Sequence, residues 1–138
     1  MKMNTYVNFA GNCAEAFRYY EKHLGAKVGM MMTHGQSPVP GNTGPEWKDA
    51  VLHAQISIGG VDLLAADVPN AQPMRSAYLT LHVDNDAEAE RVFSALSEGG
   101  QILMPLAETF FASRFGQTRD RFGMNWMILH ERPMQPAE

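Results

Sequence analysis

The chain has 138 residues, 45% of them hydrophobic and 19% charged, and carries a formal charge of −4 at neutral pH. That is enough chain for a sizeable core and too little for two independent large domains. The acidic balance, with no Lys/Arg cluster, argues against a nucleic-acid or anionic-membrane surface, and no apolar run is long enough for a membrane helix.

Thr5 to Ala10 is short and rich in β-formers, so it reads as a strand. Asn12-x-x-Glu15 then has the spacing of a capping box, and apolar Ala16, Phe17, Tyr20 and Leu24 give the helix that follows one buried stripe, ended by Gly25. Ala26 to Thr33 reads as a strand. The stretch from His34 to Asp49 is rich in proline and glycine without periodicity, a long loop that serves as a functional rim or as a solvated insertion. Within it, Trp47 either caps a ligand or anchors the loop. Val51 to Ile58 and Val61 to Ala66 form a hairpin turning at Gly59-Gly60, and Pro69 to Pro73 is a linker. The order then recurs: strand Tyr78 to Val83, cap Asn85-x-x-Glu88, helix to about Ser97, Gly99-Gly100, strand Ile102 to Leu106, strand Phe110 to Thr118, a turn at Arg121-Phe122-Gly123, and strand Met124 to His130. The tail after Pro133 is expected to be loose.

The recurrence extends to individual residues. Ala14-Glu15-Ala16-x-Arg18-x-Tyr20 returns as Ala87-Glu88-Ala89-x-Arg91-x-Phe93, and Gly60-Val61-Asp62-Leu63-Leu64 aligns with Gly123-Met124-Asn125-Trp126-Met127. Two copies of one supersecondary unit follow. The expected fold is α+β, with tandem βαβββ modules over residues 4–68 and 76–132 in a single domain of 1–138. One cysteine excludes an intrachain disulfide and any multi-cysteine metal cage. Together with an amino terminus that runs into the first strand without a signal-peptide core, it leads us to expect a cytoplasmic protein. Ten methionines, among them Met30-Met31-Met32, Met124 and Met127, serve as core filler or as an adaptable pocket lining.

The element order, the segment Phe9-Ala10-Gly11-Asn12-Cys13-Ala14-Glu15-Ala16 with Tyr19-Tyr20 and Leu24-Gly25, and the closing Glu108-Thr109-Phe110-Phe111, Phe115-Gly116 and Asp120-x-Phe122-Gly123-x-x-Trp126-Met127-Ile128 resemble the PhnB-like branch of the vicinal oxygen chelate superfamily. That superfamily holds glyoxalase I, extradiol dioxygenases and bleomycin-resistance proteins. The resemblance implies curved, half-barrel mixed sheets around a cavity, commonly in a homodimer. It also implies metal-ligand positions on the first and last strand of each module. Those positions carry Thr5, Tyr78, Leu64 and Met127, or Tyr6 and Leu79 if the first strands slip by one residue. None suits a divalent cation that needs imidazole or carboxylate, so no metal site of the usual kind is expected. Relatives of this branch have carried the label of a demethylubiquinone methyltransferase. The chain has no glycine-rich strand-to-helix turn of the kind a Rossmann methyltransferase uses, and no Walker loop or nucleophile elbow.

Alternation leaves His53, Gln55 and Ser57 on one face of their strand and Tyr78, Thr80 and His82 on one face of theirs. An inward His53 or His82 serves as general base or, with Glu108, as a relocated ligand for one divalent metal ion, unless each is a solvated strand residue. Phe110 and Phe111 read as pocket wall, core or dimer interface. Arg114 and Arg119 hold an anionic substrate or form surface ion pairs beside the Phe122-Gly123 turn, with Asp120 orienting one of them. Trp126 stands at a cavity rim or in the core. Cys13, in the first helical turn, is expected to feel the helix dipole as a lowering of its pKa, although no partner base is near. The reading is a small-molecule-binding protein without metal. Its alternatives are a metal-dependent lyase, isomerase or dioxygenase with a relocated site, and a plain dimeric interaction module.

Overall fold

The structure is a computed structural model that describes residues 1–39 and 44–133. The middle of the long loop and the tail expected beyond Pro133 lie outside the described residues. Two compact units divide the chain, Met1–Gln72 and Pro73–Glu138. In the first, β1 (Thr5–Phe9), α1 (Cys13–Leu24), β2 (Lys27–Thr33), β3 (Val51–Ile58) and β4 (Val61–Asp67) follow in order. They form a four-stranded sheet of order β1-β4-β3-β2, with β1 parallel to β4 and the other pairs antiparallel. The second unit repeats this with β5 (Leu79–His82), α2 (Asp86–Ser97), β6 (Gln101–Ala107), β7 (Ala112–Arg119) and β8 (Asn125–Glu131), sheet order β5-β8-β7-β6. The α+β fold of two βαβββ modules with mixed sheets is what the repeat predicted. Among the described residues no helix is long and apolar enough to cross a membrane.

Each helix covers one face of its own sheet. In the first unit Val7, Phe9, Ala54, Ile56, Leu63 and Ala65 are buried, as are Ala16, Phe17 and Tyr20 of α1. Phe9 and Phe17 meet edge to face at 6.3 Å. In the second, Thr118, Trp126 and Ile128 are buried, as are Ala89, Val92, Phe93 and Leu96 of α2. The β3–β4 hairpin turns on Gly59 (φ 58°) and Gly60 (φ 82°), the two consecutive positive φ values that a tight primed turn needs.

The two helix starts differ. Asn85 is extended (φ −158°, ψ 167°), and its side chain accepts the Glu88 N–H at 2.7 Å, as expected of a cap. Asn12 does not cap α1: at φ −121°, ψ 25° its side chain does not reach back, and its Oδ1 is buried without a partner. Asp67, at the end of β4, does the work instead. One carboxylate oxygen accepts the N–H groups of Gly11 and Cys13, both at 2.9 Å, and the other accepts that of Val51 at 2.8 Å. Asp67 is 1% exposed, so these charge-assisted bonds form away from water. The described ends of the long loop join the same node. His34 Nε2 lies 3.3 Å from the Asp67 carbonyl, and Trp47 meets the His34 ring at 6.3 Å and approaches Gly11. Trp47 is therefore a loop anchor.

Strand β7 begins at Ala112 rather than Phe110, because Thr109 N–H bonds the Ala112 carbonyl at 2.9 Å and Thr109 Oγ1 accepts the Ala112 N–H at 3.0 Å, closing a turn. Replacing Asp67 by alanine leaves three N–H groups without their acceptor, those of Cys13 and Val51 buried. Urea unfolding of Asp67→Ala is expected to show a loss of about 3 kcal/mol, and Asn12→Ala almost none.

Candidate functional site

The helices cover one face of each sheet and leave the other open. Partners in a β-ladder share a face, so the register gives the open faces residue by residue. Tyr6 pairs with Leu64, Leu64 with Gln55 and Gln55 with Met30, one unbroken row across all four strands. In the second unit the corresponding row is Thr80, Met127, Gln117 and Met104. Each row is electrically neutral. Each has a glutamine on its third strand and a methionine on its edge strand. Both glutamines are half-buried, and among the described residues neither side-chain amide has a hydrogen-bond partner. Unpaired, accessible amides amid apolar side chains are what a ligand site offers.

Neighbouring rows extend the faces, with Asp62, Ser57 and Lys27 on one side of the first row. In the first unit Asn8 pairs with Ala66 and His53 with Met32, and Tyr6 stacks on His53 with centroids 6.2 Å apart at 25°. Burial, and to a lesser degree the nearby Cys13, raises the Tyr6 phenol's pKa, which keeps it a neutral donor. In the second unit His82, Leu129, Phe115 and Ala107 form the next row. Phe115 continues through Phe111 at 5.3 Å to Phe110 at 5.1 Å, each pair edge to face. Phe110 itself is 87% exposed on the loop before β7.

Several sequence candidates stand elsewhere. Arg114 is on the helix side, bonded to Glu90 at 3.3 Å and 3.5 Å from Asp86, both on α2. Unbroken alternation along β7 puts it with Gly116 and buried Thr118 on the covered side. That removes it from the open face, and its ion pairs are with α2 rather than beside the turn. Trp126 is 1% exposed, and its indole N–H donates to Asp120 at 2.8 Å, so it is core and not rim. Asp120 accepts the N–H groups of Phe122 at 2.9 Å and Met124 at 3.0 Å and holds the β7–β8 turn. Arg119 shares the face of Gln117, paired with Asn125, but its side chain is engaged by Asn125 at 2.9 Å and the Met74 carbonyl at 3.2 Å. Glu108 is ion-paired with Arg132. Tyr78 precedes β5 and lies outside its ladder. Gln117 was missed, although the alternation applied to β3 finds it on β7. Glu131, 2.8 Å from His82 Nδ1, was also missed.

The ladder places Tyr6, not Thr5, beside Leu64, and Thr80, not Tyr78, beside Met127. A phenol, a hydroxyl, a leucine and a methionine do not make the imidazole and carboxylate set of a divalent-cation site. Among the described residues no three His, Cys, Asp or Glu side chains are placed to share a metal ion, so the donors present do not fit one. His53, His82 and Glu108 are engaged with Tyr6, Glu131 and Arg132 in turn.

Two titratable nodes lie on the covered side. Cys13 is fully buried, and burial together with the Asp67 carboxylate pushes its thiol up to about 12, opposite to the expected effect of the helix dipole. Asp86, at the start of α2, receives the Ser113 hydroxyl at 2.5 Å and lies 2.7 Å from His130 Nδ1. Those two hydrogen bonds, with Arg114 beyond, hold its carboxyl below its ordinary value.

A family profile described as 3-demethylubiquinone-9 3-methyltransferase matches residues 1–129. Protein YjdN of Escherichia coli (strain K12) is 34% identical over 138 residues, covering 93% of this chain and 94% of that protein. Among solved structures, protein PA1353 from Pseudomonas aeruginosa has a TM-score of 0.83 and 41% identity, over 95% of this chain and 98% of that one. The PhnB protein from Bacillus cereus, a putative 3-demethylubiquinone-9 3-methyltransferase, has a TM-score of 0.80 at 24% identity, over 94% of this chain and 99% of that one, a likeness of fold.

The raised Cys13 thiol is protonated in the fold at pH values where an unfolded cysteine ionises. Above the unfolded value near 8.5 the unfolded state binds fewer protons, so stability falls by up to about 1.4 kcal/mol per pH unit until the folded thiol ionises. Cys13→Ala is expected to flatten that alkaline limb, and a disulfide reagent at pH 8 to label the wild type only after denaturation. For Asp86 the sign reverses. Its stabilising effect is present above the unfolded carboxylate value, about 3.9, and is lost as the pH falls through the lower folded one. Asp86→Asn should therefore make the melting temperature less sensitive to acid, read as a shallower slope of Tm below about pH 4.

Proposed function

Because the chain belongs to the family described as 3-demethylubiquinone-9 3-methyltransferase, in the PhnB-like branch of the vicinal oxygen chelate superfamily, we propose that it binds a small, uncharged organic molecule on the open faces of its sheets and does so without a resident metal ion. The observation that carries this reading is the duplicated neutral row, Tyr6-Leu64-Gln55-Met30 and Thr80-Met127-Gln117-Met104. Each glutamine amide offers donors and an acceptor with no partner in the described chain, set among side chains that favour a carbon skeleton. We take the two units as one functional domain of a cytoplasmic homodimer.

The family's description does not settle the reaction, since a family description is no substitute for a site. A Rossmann methyltransferase places its cofactor on a glycine-rich turn at the carboxyl ends of a parallel sheet. Here only β1 with β4 and β5 with β8 run parallel, and the turns into α1 and α2 carry no such glycine spacing. A second reading, an enzyme that moves a proton on the bound molecule, has one observation in its favour. His82 on the open face is held at 2.8 Å by Glu131, a carboxylate-oriented imidazole suited to a general base.

The test is a thermal-shift screen of neutral and anionic organic compounds on untagged protein, with elemental analysis before and after chelator. Expected are stabilisation by neutral compounds, indifference to chelator and to added manganese, nickel, zinc or iron(II), and about tenfold weaker binding in Gln55→Leu and Gln117→Leu. About one divalent ion per chain, lost to chelator along with stability, would overturn the reading.

A further inference from the structure

Resting on that reading, we infer that the open face of the first module takes a flat aromatic ring bearing a neutral oxygen substituent. Three of this face's large apolar side chains are left accessible by the fold: Tyr6 is 49% exposed, Met30 42% and Met32 37%. Exposed methionines on a strand are costly to leave in water unless something covers them. What covers them is indicated by their chemistry. The register shift at Gly29 brings Met30 opposite Gln55, while Met32 lies opposite His53. Met31 pairs with buried Ala54, on the side that α1 covers. Two polarisable thioethers on the edge strand therefore stand beside His53 and Gln55, on the side away from Tyr6, whose ring lies within 25° of parallel to that of His53.

Thioether sulfur and aromatic faces both prefer an aromatic ring to a saturated one of equal size, and flexible methionines adapt to its outline. A charged ring finds no counter-charge in the row, since Tyr6, Leu64, Gln55 and Met30 are all neutral and the Tyr6 phenol is held in its protonated form. The Gln55 amide then reads the ring's oxygen: as donor to a carbonyl, as acceptor from a hydroxyl.

The test uses the full chain with carbon-13-labelled methionine methyl groups and two probes, 2-naphthol and its saturated counterpart decahydro-2-naphthol, which carry the same oxygen on similar skeletons. Expected are about tenfold tighter binding of 2-naphthol and upfield ring-current shifts of the Met30 and Met32 methyl signals, with Met31 unmoved. Met30→Leu with Met32→Leu, which keeps side-chain size, should remove most of the preference, with a larger loss of affinity for 2-naphthol than for decahydro-2-naphthol. Equal affinity for the two probes at this face would overturn the aromatic inference and leave the binding reading intact. Shifts confined to Met104 and Met127 would overturn the assignment to the first module. A preference that survives both leucine substitutions would overturn the role of the sulfurs. If neither probe moves any methionine signal, the aromatic class is overturned, and the broader screen alone then decides whether any organic molecule binds.

Discussion

The Asp67 carboxylate is the constraint on which the first module depends. It stands at the end of β4, and its two oxygens fix the start of α1 and the start of β3 at once. A buried carboxylate is tolerable only when its lone pairs are filled, and here backbone N–H groups from two other elements fill them. That tie fixes α1 across one face of the sheet and, as a consequence, leaves the other face free. It also explains why Cys13 is inert. The thiol is in the same buried node as a negative charge, so ionising it would add a second charge where the first is already hard to accommodate.

The second module meets the same requirement with different groups. His130 is the seventh residue after Gly123, as Asp67 is the seventh after Gly60, and Asp86 occupies the place of Cys13 in the repeated helix motif. The acid has changed sides: an imidazole on the last strand reaches a carboxylate at the helix start, with the Ser113 hydroxyl as third member. Ser113 gives its proton to Asp86, so this Ser, His and Asp grouping does not activate a nucleophile. It is a clasp. With Asp86 facing Ser113, His130 and Arg114 it is also more open to water than the Asp67 node.

How far the sequence could be read depended on the range of the interaction concerned. Element order, the helix ends at Gly25 and Glu98 and the neutral character of the last-strand positions were legible because each is set by local chemistry and by a repeat that aligns Gly60 with Gly123. Period-two alternation correctly grouped His53 with Gln55 and Thr80 with His82. Extended to β7, where it was not applied, it puts Gln117 on the open face and Arg114 with Thr118 on the helix side. Asn12 failed as a cap because its backbone conformation is set by a carboxylate 55 positions later, and no short-range pattern contains that information. Trp126 was ambiguous because a large aromatic suits rim and core alike; only the register with Leu79 and the bond to Asp120 place it inside.

The two open faces retain the same pair of features at the same row, glutamine on the third strand and methionine on the edge, while their first-strand partners differ, Tyr6 against Thr80. Under the proposed reading, a site centred on such a neutral row discriminates by shape, polarisability and one or two hydrogen bonds. A cation-centred site works the other way, since a metal supplies most of the binding energy and the surrounding side chains only refine it. Leucine and methionine at the last-strand positions are not ligands for such a cation, so on the proposed reading selectivity comes from the walls. On that reading the differing first-strand residues matter most: Tyr6 adds a ring face and a phenolic donor where Thr80 adds only a small hydroxyl, so the two faces proposed as binding surfaces would differ in their preference for aromatic ligands.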